Sequence, residues 1–478
     1  MPNRSHWVSV AQPESASAST AKPANGSVRR RVRRPRVRSG CHKPTNEPSS
    51  RGSDLTKTLA EPEIRRPPGW SRERLPGSHR VAPWSGPSLL KRHPRVCGVH
   101  SAPTPGGSHG EATAAVYLDA ASSTALHPAA RDVLTAALER GYGDPRRLHR
   151  TGRDARLLLD NARAVVAECL GIRPDEVAFT ASGTEAVQRG LLGLVEASTR
   201  DGIAHTTVEH SSVLHAVAWR PGAHVALPVD GHGRVAPADV AEAARRPGTA
   251  AVAVQAANQE IGTRQPVDDL DLPVGVPLLV DAAAALGHGP LPRRWDALTA
   301  SAHTWGGPAG VGVLALRHGT RWHNPFPGED RPEPDGFPNV PAALAAAAAL
   351  QATLAEEAEV SRRQHALVDR IRTAASALPD TEVVGDPEDR LPHLVTFSCL
   401  YLAGDELVTE LDRQGFGVAS GSACTASTLE PSHVLAAIGA LTHGNVRVSL
   451  TRETTAEQVD AFCRALTATV SRLREGLL

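Results

Sequence analysis

The sequence has 478 residues, with 52 Lys and Arg against 51 Asp and Glu, and a formal net charge of +1. At roughly 150 residues per domain, this length allows about two to four domains and a sizeable buried core, which excludes a peptide hormone or an isolated motif. The balanced charge hides two unlike segments, because residues 1–114 carry 20 basic and 7 acidic residues whereas the remainder carries 32 and 44.

The first segment, residues 1–114, holds 15 of the 38 prolines and is rich in Ser and Arg. Such a composition offers too little apolar surface for a packed core, so we predict a disordered basic tail. The seven arginines between Arg29 and Arg38 are typical of a nucleic-acid patch, a localisation signal or part of a transit peptide. The competing interpretation, which we favour, is a mis-assigned start. Met1 is the only methionine, and translation from a valine codon near Val116 would leave the tail as untranslated leader.

The six cysteines lie far apart along the chain, and no CxxC pair occurs. A disulfide-dense secreted framework would need more cysteines in a shorter chain, so the pattern favours a reducing compartment. No apolar run reaches the roughly 20 residues of a membrane span, and the start of the sequence lacks the apolar stretch of a signal peptide. The sequence therefore predicts a cytoplasmic protein without membrane attachment.

From Ala115 onward, short apolar runs alternate with segments of helical apolar spacing such as Ala155–Leu170. This alternation predicts an α/β fold with a mostly parallel sheet. The strand-sized runs are Val177–Thr180, Ala251–Gln255, Val276–Val280 and Gly312–Leu316. Asn339 and Pro341 predict the start of an Ala-rich helix that runs to about Ala375 with one break.

The chain beyond Pro379 predicts a second, smaller unit. It contains two strand-like runs and a terminal helix, at Leu394–Cys399, at Val446–Leu450 and from Ala456. We therefore predict a large domain over residues 115–375 and a C-terminal α+β domain with a cysteine loop over residues 376–478. Residues 115–130 belong to the large domain in this division, and the alternative joins them to the small one.

Two polar features follow apolar runs, at the strand ends where α/β sheets bind ligands. The turn Phe179–Glu185 leads from a strand into a helix, so its backbone N–H groups and the Thr184 hydroxyl are placed to bind an anion such as a phosphate. Asp281 ends another buried run, where a carboxylate can pair with a protonated ring nitrogen. Capping of the next helix is the alternative role of Asp281.

The order of the motifs along the chain is more specific than any one of them. The segments are Tyr117–Ala121, Asp144–Gly152, Phe179–Glu185, Glu209–His210, Asn258–Pro266, Asp281–Ala282, Ser301–His303, Ser420–Leu435 and Val446–Leu450. Taken in this order, from Tyr117 to about Glu457, they resemble the cysteine desulfurases of the class V aminotransferase family, which use pyridoxal 5′-phosphate (PLP).

The resemblance implies the fold type I architecture of PLP-dependent transferases. It also implies conversion of L-cysteine to alanine, with sulfur transfer of the kind used in iron–sulfur cluster assembly. By the same resemblance, His210 stacks on the cofactor ring, Arg447 holds the substrate carboxylate, and Cys424 takes the substrate sulfur as a persulfide. The implied cofactor-binding residues are Gly183, Thr184, Gln259, Asp281, Ser301 and His303.

The resemblance also implies the binding partners. They are L-cysteine or a similar amino acid, a sulfur-acceptor protein, and a second copy of the chain in a homodimer. We expect no metal, no membrane and no nucleic acid as a ligand of the folded part.

The chain departs from the family pattern at the lysine that binds PLP covalently. Thr304 follows His303 at that position, and residues 115–478 contain no lysine, because all four lysines lie in the tail. Gln259 replaces the family's second Asn, Ala284 replaces a glutamine, and Phe337 replaces a threonine that in the family reaches the partner subunit's phosphate. We therefore expect a less polar pocket in which PLP is bound without a covalent bond.

Threonine can neither form an imine nor shuttle protons at the substrate carbon, and loss of a positioned acid or base costs about 10²- to 10⁴-fold in rate. The sequence therefore predicts a desulfurase-like protein with impaired turnover. The alternative is a non-catalytic regulatory or sulfur-accepting partner of an active desulfurase, acting through Cys424. A third hypothesis, nucleic-acid binding through the tail, ranks last because the folded part is acidic. The remaining cysteines of the folded part are assigned to packing: Cys169, Cys399 and Cys463.

Overall fold

The computed structural model describes residues 115–420 and 431–476. The predicted tail over residues 1–114 and the predicted nucleophile Cys424 lie outside the described residues. Within them, the chain forms the predicted α/β fold, with a mostly parallel central sheet and helices on both of its faces. No helix in this described part is long and apolar enough to cross a membrane.

Twelve strands occur in the described ranges. They are β1 (Val116–Tyr117), β2 (Val177–Thr180), β3 (Gly202–Thr206), β4 (Val225–Leu227), β5 (Thr249–Ala253), β6 (Leu278–Asp281), β7 (Ala297–Ser301), β8 (Gly312–Leu316), β9 (Thr381–Val383), β10 (Leu394–Cys399), β11 (Phe416–Gly417) and β12 (Asn445–Ser449). The central sheet has the order β2-β8-β7-β6-β5-β3-β4. Its strands are parallel from β4 to β7, and β8 is antiparallel to both of its neighbours. The carboxyl ends of β2, β6 and β7 therefore meet at one edge of the sheet.

The helices of the described chain are α1 (Pro128–Leu138), α2 (Arg150–Leu170), α3 (Gly183–Glu196), α4 (Ser211–Trp219), α5 (Pro237–Arg245), α6 (Val340–Ser376), α7 (Gly404–Arg413), α8 (His433–Ala437) and α9 (Ala456–Glu475). Alternate residues of the central strands face different helices, as strand geometry requires. Leu279 and Leu314 pack with α3, whereas Leu278 packs in a separate core with Val240 of α5. Burial on both faces explains why these strands are almost entirely apolar.

The smaller sheet has the antiparallel order β12-β10-β9, and β1 pairs in parallel with β11 beside it. Its core contains Leu118, Phe397 and Phe462, so the start of the described chain packs with residues close to its end. The long helix α6 contributes to this core through Ile371 and to the core around α1 and α2 through Ala345. Because α6 belongs to both cores, the domain boundary near residue 375 stays a prediction.

The predicted break in the Ala-rich helix is wrong, since α6 is continuous over 37 residues. The Asn339 carboxamide oxygen accepts a hydrogen bond from the Ala342 N–H at 3.2 Å and caps the first turn, as predicted. After Pro341 the helix contains neither Gly nor Pro and is rich in Ala, the residue with the highest helix propensity. Nothing in this composition interrupts the helix.

Candidate functional site

A cleft of about 330 Å³ lies at the edge where β2, β6 and β7 end, within the size range of small-molecule sites. It brings together nine of the ten predicted site residues: Gly183, Thr184, His210, Gln259, Asp281, Ser301, His303, Thr304 and Arg447. The tenth, Cys424, lies outside the described residues. Because these side chains come from segments far apart in sequence, the fold itself assembles the cleft.

One end of the cleft is formed by the first turn of α3. The Ser182 hydroxyl caps this helix by accepting a hydrogen bond from the Glu185 N–H at 3.1 Å. Gly183 and Thr184 occupy the first two helical positions, where N–H groups have no partner within the helix. A Cβ on Gly183 would lie 2.7 Å from the Cβ of Ser301, so only glycine lets this turn approach the end of β7. The arrangement suits an anion at the N-terminus of α3.

The buried carboxyl group of Asp281 lies at the end of β6. Its Oδ1 accepts hydrogen bonds from the Ala283 N–H at 3.0 Å and from the Thr299 hydroxyl at 3.3 Å. Burial raises the pKa of Asp281, and the neighbouring His210 acts in the opposite direction. A turn and not a helix follows β6, so the alternative role of Asp281 as the cap of the next helix is wrong. A carboxylate held in this way can accept a hydrogen bond from a protonated ring nitrogen.

His210 caps α4 at the same edge of the sheet. The Ser212 N–H donates to His210 Nδ1 at 3.2 Å, so the neutral ring carries its proton on Nε2. Burial lowers the pKa of His210, with the charge of Asp281 acting against it. His210 is therefore an uncharged ring that lines the cleft beside a buried carboxyl group.

Ser301, His303 and Thr304 line the cleft where β7 ends and a short turn of 3₁₀-helix follows. The Thr304 hydroxyl donates to the carbonyl oxygen of Ser301 at 2.8 Å. Burial lowers the pKa of His303, and its Nδ1 is buried without a hydrogen-bond partner among the described residues. At the lysine position of the family pattern, the chain thus offers a hydroxyl already bonded to its own backbone.

Arg447 also lines the cleft, is the central residue of β12, and is 3% exposed. Its Nη2 donates to Asp119 Oδ1 at 2.9 Å and to the Ser122 hydroxyl at 2.5 Å. Its Nη1 donates to the backbone carbonyl of Gln259 at 3.1 Å. Gln259 therefore takes part in the site through its backbone, whichever side chain stands there.

Sequence reasoning missed several residues that shape this cleft. Asp119 belongs to the quoted opening motif, but nothing in the sequence indicates its ion pair with Arg447. Glu209 is wholly buried, and burial raises its pKa to about 8. Its Oε1 accepts hydrogen bonds from the Thr206 hydroxyl at 2.7 Å and the Gln255 N–H at 3.0 Å. These partners come from β3 and from the segment after β5, so they are recognisable only in the folded chain.

The described residues allow a test of whether PLP fits the cleft. Three of the lining residues have a buried polar atom without a described partner: Gln255 Oε1, His303 Nδ1 and Arg447 Nε. The N-terminus of α3 suits a phosphate, and Asp281 suits a pyridine nitrogen. Thr304 and the absence of lysine from residues 115–478 exclude a covalent bond to a lysine of this part of the chain. The chemistry therefore fits PLP as a non-covalent ligand.

The other three thiols of the folded part are poor nucleophiles. Burial raises the pKa of Cys169 to about 11 and raises the pKa values of Cys399 and Cys463 above their ordinary value. A higher pKa leaves less of the reactive thiolate at neutral pH. These properties agree with the packing roles predicted for the three residues.

The chain is similar to known proteins in both sequence and fold. The model of the Aminotransferase class-V family matches residues 116–462. The chain is 32% identical over 376 residues to "Cysteine desulfurase IscS" of Dictyoglomus turgidum, covering 75% of this chain and 95% of that protein. It is 36% identical over 388 residues to "IscS-like cysteine desulfurase" of Mycobacterium tuberculosis, covering 76% and 98%. A solved "NIFS-LIKE PROTEIN" superposes with a TM-score of 0.69 at 26% identity, over 75% of this chain and 99% of that one.

Proposed function

Since the chain belongs to the class V aminotransferase family and is cysteine desulfurase-like, we propose that it binds PLP non-covalently together with L-cysteine or a similar amino acid, and that its turnover is impaired. One observation carries this proposal. Nine predicted site residues line a single cleft, and the residue at the lysine position among them is Thr304.

In this proposal each lining residue has a defined task. The N–H groups of Gly183 and Thr184, with the Ser301 hydroxyl, hold the phosphate, and Asp281 holds the pyridine nitrogen. His210 lies against the ring, and Arg447 binds the carboxylate of the amino acid. When bound, PLP withdraws electrons from the α-carbon of the amino acid.

The proposed impairment follows from the chemistry of Thr304. An alcohol is a far weaker base than an amine, and the Thr304 hydroxyl is engaged with the carbonyl oxygen of Ser301. His303 and His210 are uncharged rings near this position and supply no primary amine. Removal of a positioned acid or base lowers the rate by about 10²- to 10⁴-fold. Sulfide release from cysteine is therefore expected to be slow.

The Thr304→Lys variant tests this proposal, with Thr304→Met as a control of similar side-chain length but no amine. Purified natural protein, incubated with PLP and reduced with borohydride, should carry no pyridoxyl group on residues 115–478 by peptide mapping. The Thr304→Lys protein should gain a PLP absorption band, a pyridoxyl group at position 304 and measurable sulfide release, and the Thr304→Met protein should gain none of these. A colourless Thr304→Lys protein would mean that the replacements at Gln259, Ala284 and Phe337 have removed the site.

A second candidate function is that of a sulfur-accepting or regulatory partner of an active desulfurase. It is supported by the loss of the lysine together with the raised pKa values of three of the four cysteines in residues 115–478, which leave Cys424 as the candidate acceptor. Incubation with an active desulfurase and cysteine should place a persulfide on Cys424, detected by mass spectrometry and lost in Cys424→Ser. Equal labelling of Cys399 would remove this candidate.

We also propose that the chain acts as a homodimer. Five of the exposed large apolar side chains lie on α1, on α2 and on the segments next to α2 and α6. They are Leu138, Tyr142, Leu148, Leu157 and Phe337. Phe337 and Arg156 of α2 line one cavity of about 460 Å³, which also shares Gly310 with the candidate cleft. An exposed apolar surface of this kind is typical of a protein interface.

A further inference from the structure

A second cavity, of about 280 Å³, shares no lining residue with the candidate cleft. Trp295 lies just before β7 and Arg317 just after β8, and both line this cavity. Because β8 is antiparallel to β7, these two residues lie at the same edge of the sheet. Ser301 of the candidate cleft is at the other end of β7, so the length of that strand separates the two groups of residues.

The cavity lies beside an unusual connection between two parallel strands. Such a connection usually contains an α-helix that covers the sheet, but residues 282–296, which join β6 to β7, form no helix. Pro290 and Pro292 lack N–H groups within this connection, which disfavours a helix there. The cavity is left between the sheet, the end of α2 and α6, and five leucines line it: Leu170, Leu286, Leu291, Leu298 and Leu354.

Two arginines line this cavity, and neither forms an ion pair with an acidic residue of the described chain. Arg293 is exposed, and its backbone is fixed because its N–H donates to Asp268 Oδ1 at 2.7 Å. Arg317 is half-buried, with its guanidinium carbon 3.8 Å from the centre of the Trp295 ring. The side chain of Arg317 has one hydrogen bond within residues 115–420 and 431–476, to the Arg293 carbonyl oxygen at the long distance of 3.5 Å. Both guanidinium groups therefore keep donors for a ligand.

The charges of the lining favour a ligand with one negative charge. Arg293 and Arg317 are opposed by a single carboxyl group, that of Glu357, which leaves an excess of one positive charge. A cationic ligand is disfavoured, because Arg317 already covers a face of Trp295. Guanidinium groups bind carboxylates through parallel N–H donors, and the leucines offer apolar surface to the rest of the ligand.

We propose that this cavity binds a small monocarboxylate with an apolar body, either an acyl chain or an aryl group. The carboxylate binds to Arg293 and Arg317, and the apolar body packs against the leucines. The inference is independent of the proposed function, because none of the residues that carry it lines the candidate cleft.

Titration calorimetry on the full-length protein with four probes tests the ligand class. Octanoate has both features, octanamide lacks the charge, and acetate lacks the apolar chain. We expect octanoate to bind about 10- to 100-fold more tightly than octanamide, the range of a hydrogen bond to a charged group. It should bind at least about 100-fold more tightly than acetate, because each buried methylene group adds to the affinity.

The fourth probe, 3-phenylpropionate, distinguishes the two kinds of apolar body. Binding of either acid supports the proposal, and the tighter of the two identifies the body as acyl or aryl. Absence of binding by both acids would overturn the proposal. Equal affinities of octanoate and octanamide would overturn it as well, because the arginines would then contribute nothing.

Substitutions test whether the carboxylate binds at the two arginines. Arg293→Gln and Arg317→Gln should each weaken octanoate binding about tenfold and leave octanamide binding unchanged. Arg131→Gln, which removes an exposed charge from α1, should change neither affinity. Unchanged octanoate affinity in the first two variants, or an equal loss in Arg131→Gln, would overturn the site. Because the Arg293 side chain is exposed and has no hydrogen bond or ion pair within the described chain, Arg293→Gln decides the question even where Arg317→Gln fails to fold.

Discussion

At the scale of single residues, the close approach of Gly183 to Ser301 makes the phosphate end of the cleft sensitive to one methyl group. A Cβ at position 183 would lie 2.7 Å from a carbon atom of Ser301, so the turn or the end of β7 must shift. We expect Gly183→Ala to destabilise the fold by about 1–3 kcal/mol and to weaken PLP binding by about tenfold or more. Thermal unfolding and PLP titration measure the two effects.

A matched control for this substitution is Gly248→Ala. An added Cβ at Gly248 meets no atom within 4 Å, and its φ lies outside the left-handed region. This variant should keep the PLP affinity of the natural protein and differ little in melting temperature. Equal behaviour of the two variants would contradict the view that the contact of Gly183 with Ser301 shapes the phosphate end.

The buried carboxyl group of Glu209 predicts a dependence of stability on pH. Burial raises its pKa to about 8, from an ordinary value of 4.5. Between these values the folded chain holds a proton that the unfolded chain has released, so a rise in pH favours unfolding. In Glu209→Gln this contribution is absent. We therefore expect the difference in free energy of unfolding, Glu209→Gln minus the natural protein, to increase with pH. The increase should be up to about 1.4 kcal/mol per pH unit between about pH 4.5 and pH 8.

Urea denaturation at pH 5.5 and pH 7.5 measures this difference. The glutamine retains an oxygen that can accept from Thr206 and Gln255, so the substitution changes little besides the titration. Glu242→Gln, on the exposed surface of α5, controls for the removal of a carboxylate elsewhere. A stability difference between Glu209→Gln and the natural protein that is the same at both pH values would contradict the assigned protonation.

Residues in local sequence motifs could be predicted more readily than residues whose contacts form only in the folded chain. Asp281 and the turn from Phe179 to Glu185 follow apolar runs, so their place at a strand end was predictable from neighbours in sequence. The ion pair of Asp119 with Arg447 joins residues 328 positions apart, and no local pattern encodes such a contact. His288 and His393, whose rings stack at 3.8 Å beside the Thr304 carbonyl, were missed for the same reason.

At the scale of secondary-structure elements, the cap of α6 offers a direct test. The Asn339 oxygen accepts from the Ala342 N–H, and its loss leaves a helix terminus with one more unpaired donor. We expect Asn339→Ala to lower the free energy of unfolding by about 1 kcal/mol, measured by denaturant titration. Asn339→Ser retains a capping oxygen and should stay within a few tenths of a kcal/mol of the natural protein. Equal losses in both variants would show that packing and not capping fixes this helix end.

Strand prediction from the sequence was accurate where a short run is mostly apolar and failed where polar contacts set the strand end. The runs Val177–Thr180 and Gly312–Leu316 coincide with β2 and β8. The predicted strand to Gln255 ends instead at Ala253. The Val254 and Ala256 N–H groups still donate to β6, but the Gln255 N–H donates to Glu209 and not to a neighbouring strand. Gly202–Thr206 of β3 was missed since it mixes Gly, His and Thr with apolar residues, although all five are buried.

At the scale of the whole molecule, the exposed apolar surface around α2 predicts the oligomeric state. Native mass spectrometry at micromolar concentration should give a dimer, because burial of these side chains favours association. Leu157→Asp places a charge in that surface and should shift the mass towards the monomer. Trp219→Asp removes an exposed apolar side chain from α4 and should leave the dimer intact. A monomeric natural protein would contradict the proposed interface.

The pairing of β1 with β11, and of Asp119 with Arg447, has a consequence for how the protein is made. A ribosome adds about 5–20 residues per second, so roughly 16 to 66 s separate the synthesis of Asp119 from that of Arg447, 328 positions later. Until Phe416 and Gly417 are made, β1 has no partner strand, and until Arg447 is made, the Asp119 carboxylate has no cation. Any product of premature termination before residue 447 lacks one wall of the cleft. Ligand binding can therefore begin only on a nearly finished chain, and a chain that ends before Phe416 presents its unpaired β1 to chaperones and proteases.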